Sequence, residues 1–241
     1  MIDGHAHLHE IEDAAEAVDR ARAAGVTQIL AVGMDLASNR RTLALAEAHS
    51  DAVLPAVGYH PWNIVSEDLP ATLAHMDAHL HRCVAVGEVG LDYKVKVKKA
   101  LQQEVFDEVL RLAGRHRKPV IVHSRFSHQR CHRMVSQQGI ERAVFHWFSG
   151  PLDVLDRIIA DGYYVSCTPA LAYSTAHQQA MRHAPLERIL VETDCPVPYQ
   201  GKPSEPAHLI ETIRQLSLLK CLPEKKVARI TAASARRLFR I

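Results

Sequence analysis

This chain has no excess of either charge sign, no long apolar run, no paired-cysteine spacing, no glycine-rich phosphate loop and no low-complexity tract. Lys and Arg number 29 against 27 Asp and Glu, a formal net charge of +2, so only a local basic patch would argue for nucleic acid. No stretch is apolar for long enough to cross a bilayer, and the first residues are acids and histidines where a signal peptide needs a basic stretch and an apolar run. Cys83, Cys131, Cys167, Cys195 and Cys221 are odd in number and scattered, without the C-x-x-C spacing of structural zinc. They read as reduced thiols, and the expected location is the cytoplasm. Neither G-x-G-x-x-G nor G-x-x-x-x-G-K-[ST] occurs, which argues against a doubly wound nucleotide-binding sheet. Nothing divides the 241 residues, so one domain spanning 1–241 is expected.

What is present is histidine, 16 residues of it, together with a regular alternation of two patterns. Short β-branched apolar runs recur at 2–5, 26–33, 53–58, 84–90, 119–124, 142–148, 163–169 and 188–194. Most are nearly continuous in apolar residues, as expected of parallel strands covered on both faces by helices. Helix-like segments lie between them. Residues 11–25 end on Gly25, residues 37–50 offer Ser38 or Asn39 as a cap, and residues 101–118 space Val105, Val109 and Leu112 at helical intervals. Strand starts fall roughly 20 to 36 residues apart, the size of a βα unit, and the length suits a (β/α)₈ TIM barrel. From about residue 223 the tail reads as one or two extra amphipathic helices on the outside, with Val227, Ile230 and Leu238 as buried candidates.

In such a barrel the chemistry sits at the C-terminal ends of the strands. Those positions hold His5 and His7, then His60, Glu88, His123, His146 and Asp194. On a strand, His5 and His7 share a face. Imidazole and carboxylate are ligands for divalent ions, and His5, His7, Glu88, His123, His146 and Asp194 are too many for one tetrahedral zinc. They point to a two-metal site.

The segments that hold them are MIDGHAHL, GYHPW, GEVGLDY, PVIVHSR, FHWFSG and ETDCPVP. In order and spacing they resemble the motif set of the TatD-like metal-dependent hydrolases of the amidohydrolase superfamily, along the whole chain. The resemblance implies a (β/α)₈ barrel with His5, His7, Glu88 and Asp194 around one ion and Glu88, His123 and His146 around the other. It also implies phosphodiester hydrolysis of DNA, often by exonucleases working from a 3′ end. Superfamily relatives that attack carbonyls often bridge their ions with a carboxylated lysine where this chain has Glu88, which favours the phosphate branch.

Two cations about 3.5 to 4 Å apart lower the pKa of a bound water, hold the hydroxide and neutralise both oxygens of an in-line displacement. Glu88 is suited to bridge them, and Asp194 to act as general base. His60 is expected to stabilise phosphoryl charge or protonate the leaving group, Arg125 to fork a phosphate, and Lys202 to contact one from the last loop. Asp92 would orient a ligand histidine or cap a loop. The basic run at 94–99 could border the mouth and attract a polyanion. Zinc, manganese, magnesium and cobalt all suit such ligands.

Phe126 and Ser127 stand where the family commonly has Asp-Ala, Pro203 and Ser204 lie where an Arg-Asn pair is common, and Ser234 replaces a frequent Asn. These departures bear on substrate, expected to be DNA or a small phosphate ester. Other readings are a carbonyl substrate such as an amide, ester or lactone, a non-enzymatic metal-binding or interaction protein, a second metal clip at His128 and His132, and a cysteine nucleophile at Cys167 or Cys195.

Overall fold

The structure, a computed structural model, describes residues 1–241. Eight parallel strands, β1 (Ile2–Ala6), β2 (Gln28–Val32), β3 (Val53–Tyr59), β4 (Ala85–Asp92), β5 (Val120–Arg125), β6 (Ala143–Phe145), β7 (Tyr164–Cys167) and β8 (Ile189–Val191), neighbour one another in chain order. The helices are α1 (Ala14–Ala23), α2 (Leu36–Ala48), α3 (Leu69–His79), α4 (Lys99–Arg115), α5 (His128–Gln137), α6 (Leu152–Ala160), α7 (Thr175–His183), α8 (Leu209–Lys220) and α9 (Glu224–Phe239). This is the expected single-domain (β/α)₈ barrel. No helix is long and apolar enough to cross a membrane.

The barrel closes between β1 and the segment after β8. His7 N–H donates to Cys195 O at 2.8 Å and Asp194 N–H to His5 O at 3.0 Å. The buried Asp3 carboxylate accepts from Thr193 N–H at 3.0 Å and from the Thr193 hydroxyl at 2.6 Å. Burial raises the Asp3 pKa to about 7 against the lowering effect of those hydrogen bonds.

The helix boundaries follow local chemistry. α1 ends through Ala24 with Gly25 at φ +86, the left-handed position that glycine occupies without a Cβ penalty. α2 corrects the expected cap, because neither Ser38 nor Asn39 starts it. Asp35 does, its carboxylate accepting Ser38 N–H at 2.8 Å while Ser38 Oγ reciprocates to Asp35 N–H. Asn39 instead lies buried, donating to Gly58 O at 2.8 Å and accepting Gly58 N–H at 2.9 Å. A Cβ at Gly58 would stand 2.4 Å from Glu88 O, so only glycine lets β3 approach β4 there. Both ladders flanking Glu88 shift register beside it, a bulge that re-aims a side chain at the mouth.

The tail forms one helix, within the one or two expected, and its place is particular: α9 covers the N-terminal end of the barrel rather than its side. Ala232, Ala235, Leu238 and Phe239 pack with Ile2, Leu30, Ile121, Val144 and Leu190 in one buried cluster. Arg142 donates to Leu238 O at 2.6 Å, and Ser234 Oγ donates to Glu187 O at 2.8 Å. Val227 and Leu238 are buried as expected, whereas Ile230 is only partly so. Leu238→Ala is expected to lower unfolding free energy by about 2 to 5 kcal/mol, measured by urea denaturation. A change below about 0.5 kcal/mol would place Leu238 outside the packed floor.

α7 is pinned by His177, which is wholly buried. Its Nδ1 lies 2.8 Å from Phe148 O, and its Nε2 accepts Thr168 N–H at 3.2 Å. Burial lowers its pKa to about 4. The unfolded imidazole, near 6.5, therefore takes up its proton first as pH falls. Stability is full above about pH 6.5 and declines towards pH 4, by on the order of 3 kcal/mol from this group. His177→Gln, which keeps a donor and an acceptor but does not titrate, is expected to lose that much less stability between pH 7.5 and 4 in urea denaturation. Equal losses in both proteins would overturn the assignment.

Candidate metal centre

Every strand-end group named from the sequence faces one point. Glu88, buried at the β4 bulge, divides its carboxylate between two sets of donors. Oε2 lies 3.2 Å from His5 Nε2 and 3.4 Å from His7 Nε2. Oε1 lies 2.7 Å from His123 Nδ1, 2.8 Å from His146 Nε2 and 3.4 Å from His60 Nε2. Asp194 Oδ1 is 3.4 Å from both His5 Nε2 and His7 Nε2, and those two nitrogens are 3.3 Å apart. His5 also stacks on His146 with ring centroids 4.3 Å apart.

The donor set fits a cation. Donors about 2.0 to 2.1 Å from a common centre at tetrahedral angles stand roughly 3.3 to 3.4 Å apart. The distances among His5, His7, Glu88 Oε2 and Asp194 Oδ1 match that spacing. Asp194 Oδ1 is buried without a hydrogen-bond partner, a costly state unless a cation or proton compensates it. Three groupings could hold an ion: His5, His7 and Asp194; His60, Glu88 and His123; and His5, His146 and Glu192.

The outer hydrogen bonds set which nitrogen is free. His146 Nδ1 lies 3.3 Å from Glu192 Oε1 and His123 Nε2 lies 3.4 Å from Asp92 Oδ2, so with a cation bound each ring would keep its proton on that outer nitrogen and offer the nitrogen now facing Glu88 to the ion. His60 is the reverse. Its Nδ1 accepts Trp62 N–H at 3.2 Å, so its proton sits on Nε2, facing the centre as a donor. His60 thus lies deeper in the cluster than its loop position suggested, yet is arranged as a hydrogen-bond donor. Asp92 caps the loop as one of the two readings has it, Oδ1 accepting Lys94 N–H at 2.8 Å, while its Oδ2 stands beside His123.

Glu192 is the residue that the sequence reading passed over. It is buried, accepts Trp147 N–H at 3.0 Å and backs His146. Strand alternation would have found it, because Leu190, Glu192 and Asp194 are spaced by two. Asp194 and Trp147 both take left-handed backbone, φ +52 and +43, where the chain turns away from its strands. Non-glycine residues in that region are held there by their surroundings and cluster at functional sites.

Opposed charges dominate the titration of the cluster. Burial works to lower the His7 pKa, yet the adjacent Asp194 and Glu88 carboxylates raise it to about 10. Burial likewise opposes but does not prevent the rise at His146, caused by Glu88 and Glu192, and at His123, caused by Asp92 and Glu88. Glu88 is held well below the ordinary carboxylate range against its burial, chiefly by His146, His60 and His5. Burial lowers the His60 pKa to about 4 against the opposing effect of Glu88.

A cavity of about 520 Å³ opens above the cluster, walled by Met34, Trp62, Arg125, Trp147, Tyr173 and Val197. Arg125 is half exposed at its rim, 4.0 Å from Asp92 Oδ2. Lys202 does not line it; the residue sits on an exposed turn, its backbone paired with Tyr199. Lys94, Lys96 and Lys98 are exposed in the loop after β4, and Lys99 is exposed at the start of α4. Among the departures, Ser127 donates to Leu91 O at 2.6 Å and Ser204 to Val197 O at 2.7 Å, while Phe126 is exposed.

Two alternatives are corrected. Cys167 and Cys195 are wholly buried off the cavity, and burial raises both thiols well above their ordinary pKa, so neither is a nucleophile. His132 is bound to Asp161 at 2.8 Å while His128 packs against Phe148, so the pair forms no clip.

The family model described as TatD related DNase matches residues 2–240. A Bacillus subtilis protein named uncharacterized metal-dependent hydrolase YabD is 32% identical, over 100% of this chain and 99% of its own. An Erwinia tasmaniensis protein named 3'-5' ssDNA/RNA exonuclease TatD is 30% identical over 95% of each. The crystal structure of YJJV, a TatD homologue from Escherichia coli K12, superposes with a TM-score of 0.91 at 28% identity, covering 100% of this chain and 98% of that one. Matched from end to end in sequence and fold, this chain belongs to the TatD-related DNase family of metal-dependent hydrolases.

Proposed function

We propose that the chain is a phosphodiesterase acting on nucleic acid with two divalent cations, of the 3′-5′ exonuclease kind. The observation that carries this reading is Glu88, one carboxylate whose two oxygens face separate donor sets, His5, His7 and Asp194 on one side and His123 and His146 on the other. Bound there, two divalent cations would polarise a phosphoryl oxygen and offset the charge of the attacking and leaving oxygens.

The chain's own residues do the rest. Asp194, with Oδ1 unpartnered, takes a proton from the attacking water as general base. His60 donates from Nε2 to a phosphoryl or leaving oxygen. Arg125 offers a rim guanidinium whose fork matches phosphate geometry. Glu192 and Asp92 orient His146 and His123. Five thiols without a disulfide support a cytoplasmic location.

The test is hydrolysis by metal-reconstituted protein of bis-p-nitrophenyl phosphate, 3′-labelled single-stranded DNA and a simple lactone. Release of nucleotides from the labelled end is the expected result. Turnover of the lactone alone would overturn the phosphodiesterase reading and assign the same residues to a carbonyl electrophile.

A further inference from the structure

The chain holds two tryptophans in 241 residues, Trp62 and Trp147, and both line the cavity above the metal-ligand cluster. Tyr173 lines it too and is 45% exposed. The Trp62 indole is 52% exposed, yet it is not free to swing. Its Nε1–H donates to Asp92 Oδ2 at 2.7 Å, and its backbone N–H is bound to His60 Nδ1. The result is an indole half open to solvent and held in orientation, whose ring centroid is 6.1 Å from that of His123. Arg125 stands on the same rim, and Phe126, 69% exposed, follows it.

We infer that Trp62 is a stacking platform for one unpaired nucleobase adjacent to the bond being cleaved, and that it sets the preference for single-stranded ends. The inference rests on the phosphodiesterase reading and names the residue that selects its substrate. A fixed aromatic face suits the π-face of any base, so recognition is tolerant of sequence. A base on Trp62 is within one nucleotide of the cluster, and Arg125 is placed to meet its phosphate. A paired base is disfavoured, because it would have to leave its partner and its stacked neighbour to enter the cavity lined by Trp62, Trp147 and Tyr173. Asp92 holds the platform, since Oδ2 receives Trp62 Nε1–H on one side and faces His123 on the other.

Because both tryptophans are at this site, selectively excited tryptophan fluorescence reports on it alone. Trp147→Phe leaves Trp62 as the sole tryptophan, and titration with a short single-stranded oligonucleotide in EDTA reads binding without turnover. Quenching is expected, and quenching several-fold weaker with an oligonucleotide of equal charge ending in an abasic site. In metal-loaded protein, Trp62→Ala is expected to reduce the preference for a normal over an abasic end by about 5- to 150-fold, the discrimination that one stacked base confers. Trp62→Phe, which keeps a ring and loses the bond to Asp92, is expected to retain most of that preference. If Trp62→Ala slows both ends equally, Trp62 acts only through Asp92 and His123, and the platform is overturned. If no phosphodiester is cleaved by the wild type, the proposed function fails, while the EDTA titration still decides whether a base binds at Trp62.

Discussion

Glu88→Gln is expected to abolish turnover, by about 10³-fold or more, and to lower divalent-metal uptake at the same time. The change is nearly isosteric, so the β4 bulge and the approach of Gly58 are preserved. What is lost is the negative charge shared by two oxygens, one 3.2 Å from His5 and the other 2.7 Å from His123. A neutral amide presents one oxygen and one NH₂ group in their place, and on the two-metal proposal that NH₂ points at a position a cation would occupy. Elemental analysis after dialysis reads the stoichiometry, and a thermal shift on adding metal provides a second readout, because a ligand that binds only the native state raises its stability. Retention of full metal content together with more than a tenth of the turnover would show that Glu88 does not join two sites.

Asp194→Asn separates chemistry from binding at the same centre. Asparagine keeps an oxygen where Asp194 Oδ1 stands unpartnered, and it accepts the left-handed backbone of φ +52 as readily as aspartate does. It cannot take a proton from water. Turnover is therefore expected to fall by about 10² to 10⁴-fold while metal content remains largely intact, read by paired rate and elemental measurements. A protein that merely stores metal would show no rate to lose. An Asn variant with wild-type kcat would move the general base to another group.

The barrel and most of its centre were legible because they depend on short-range regularities. His5 and His7 share a face through strand alternation, and His123, His146 and Glu88 fall where apolar runs end. Glu192 obeys the same alternation and was legible from it, although it lies one residue past a strand only three residues long, Ile189–Val191. The role of His60 depends on where its proton sits, which is set by the backbone N–H of Trp62 and has no trace in composition. Lys202 looked like a phosphate contact from its loop alone, and only the structure shows it exposed on a turn paired with Tyr199 and outside the cavity lining. Closure by Asp3 across to Thr193, and Asp35 displacing Ser38 as a cap, are three-dimensional competitions between equally plausible polar groups.

The floor of the barrel is made of residues 224–239, so it is also the part that a ribosome delivers after every strand and all eight outer helices. Until those residues emerge, Ile2, Ile121 and Leu190 have nothing beneath them, and β1 has already waited for the segment around Thr193 to reach it. A nascent chain in that condition shows an open apolar ring to chaperones and to other growing chains. A premature stop or proteolytic nick ahead of Leu238 would leave every metal ligand in the sequence and still yield a protein prone to aggregate.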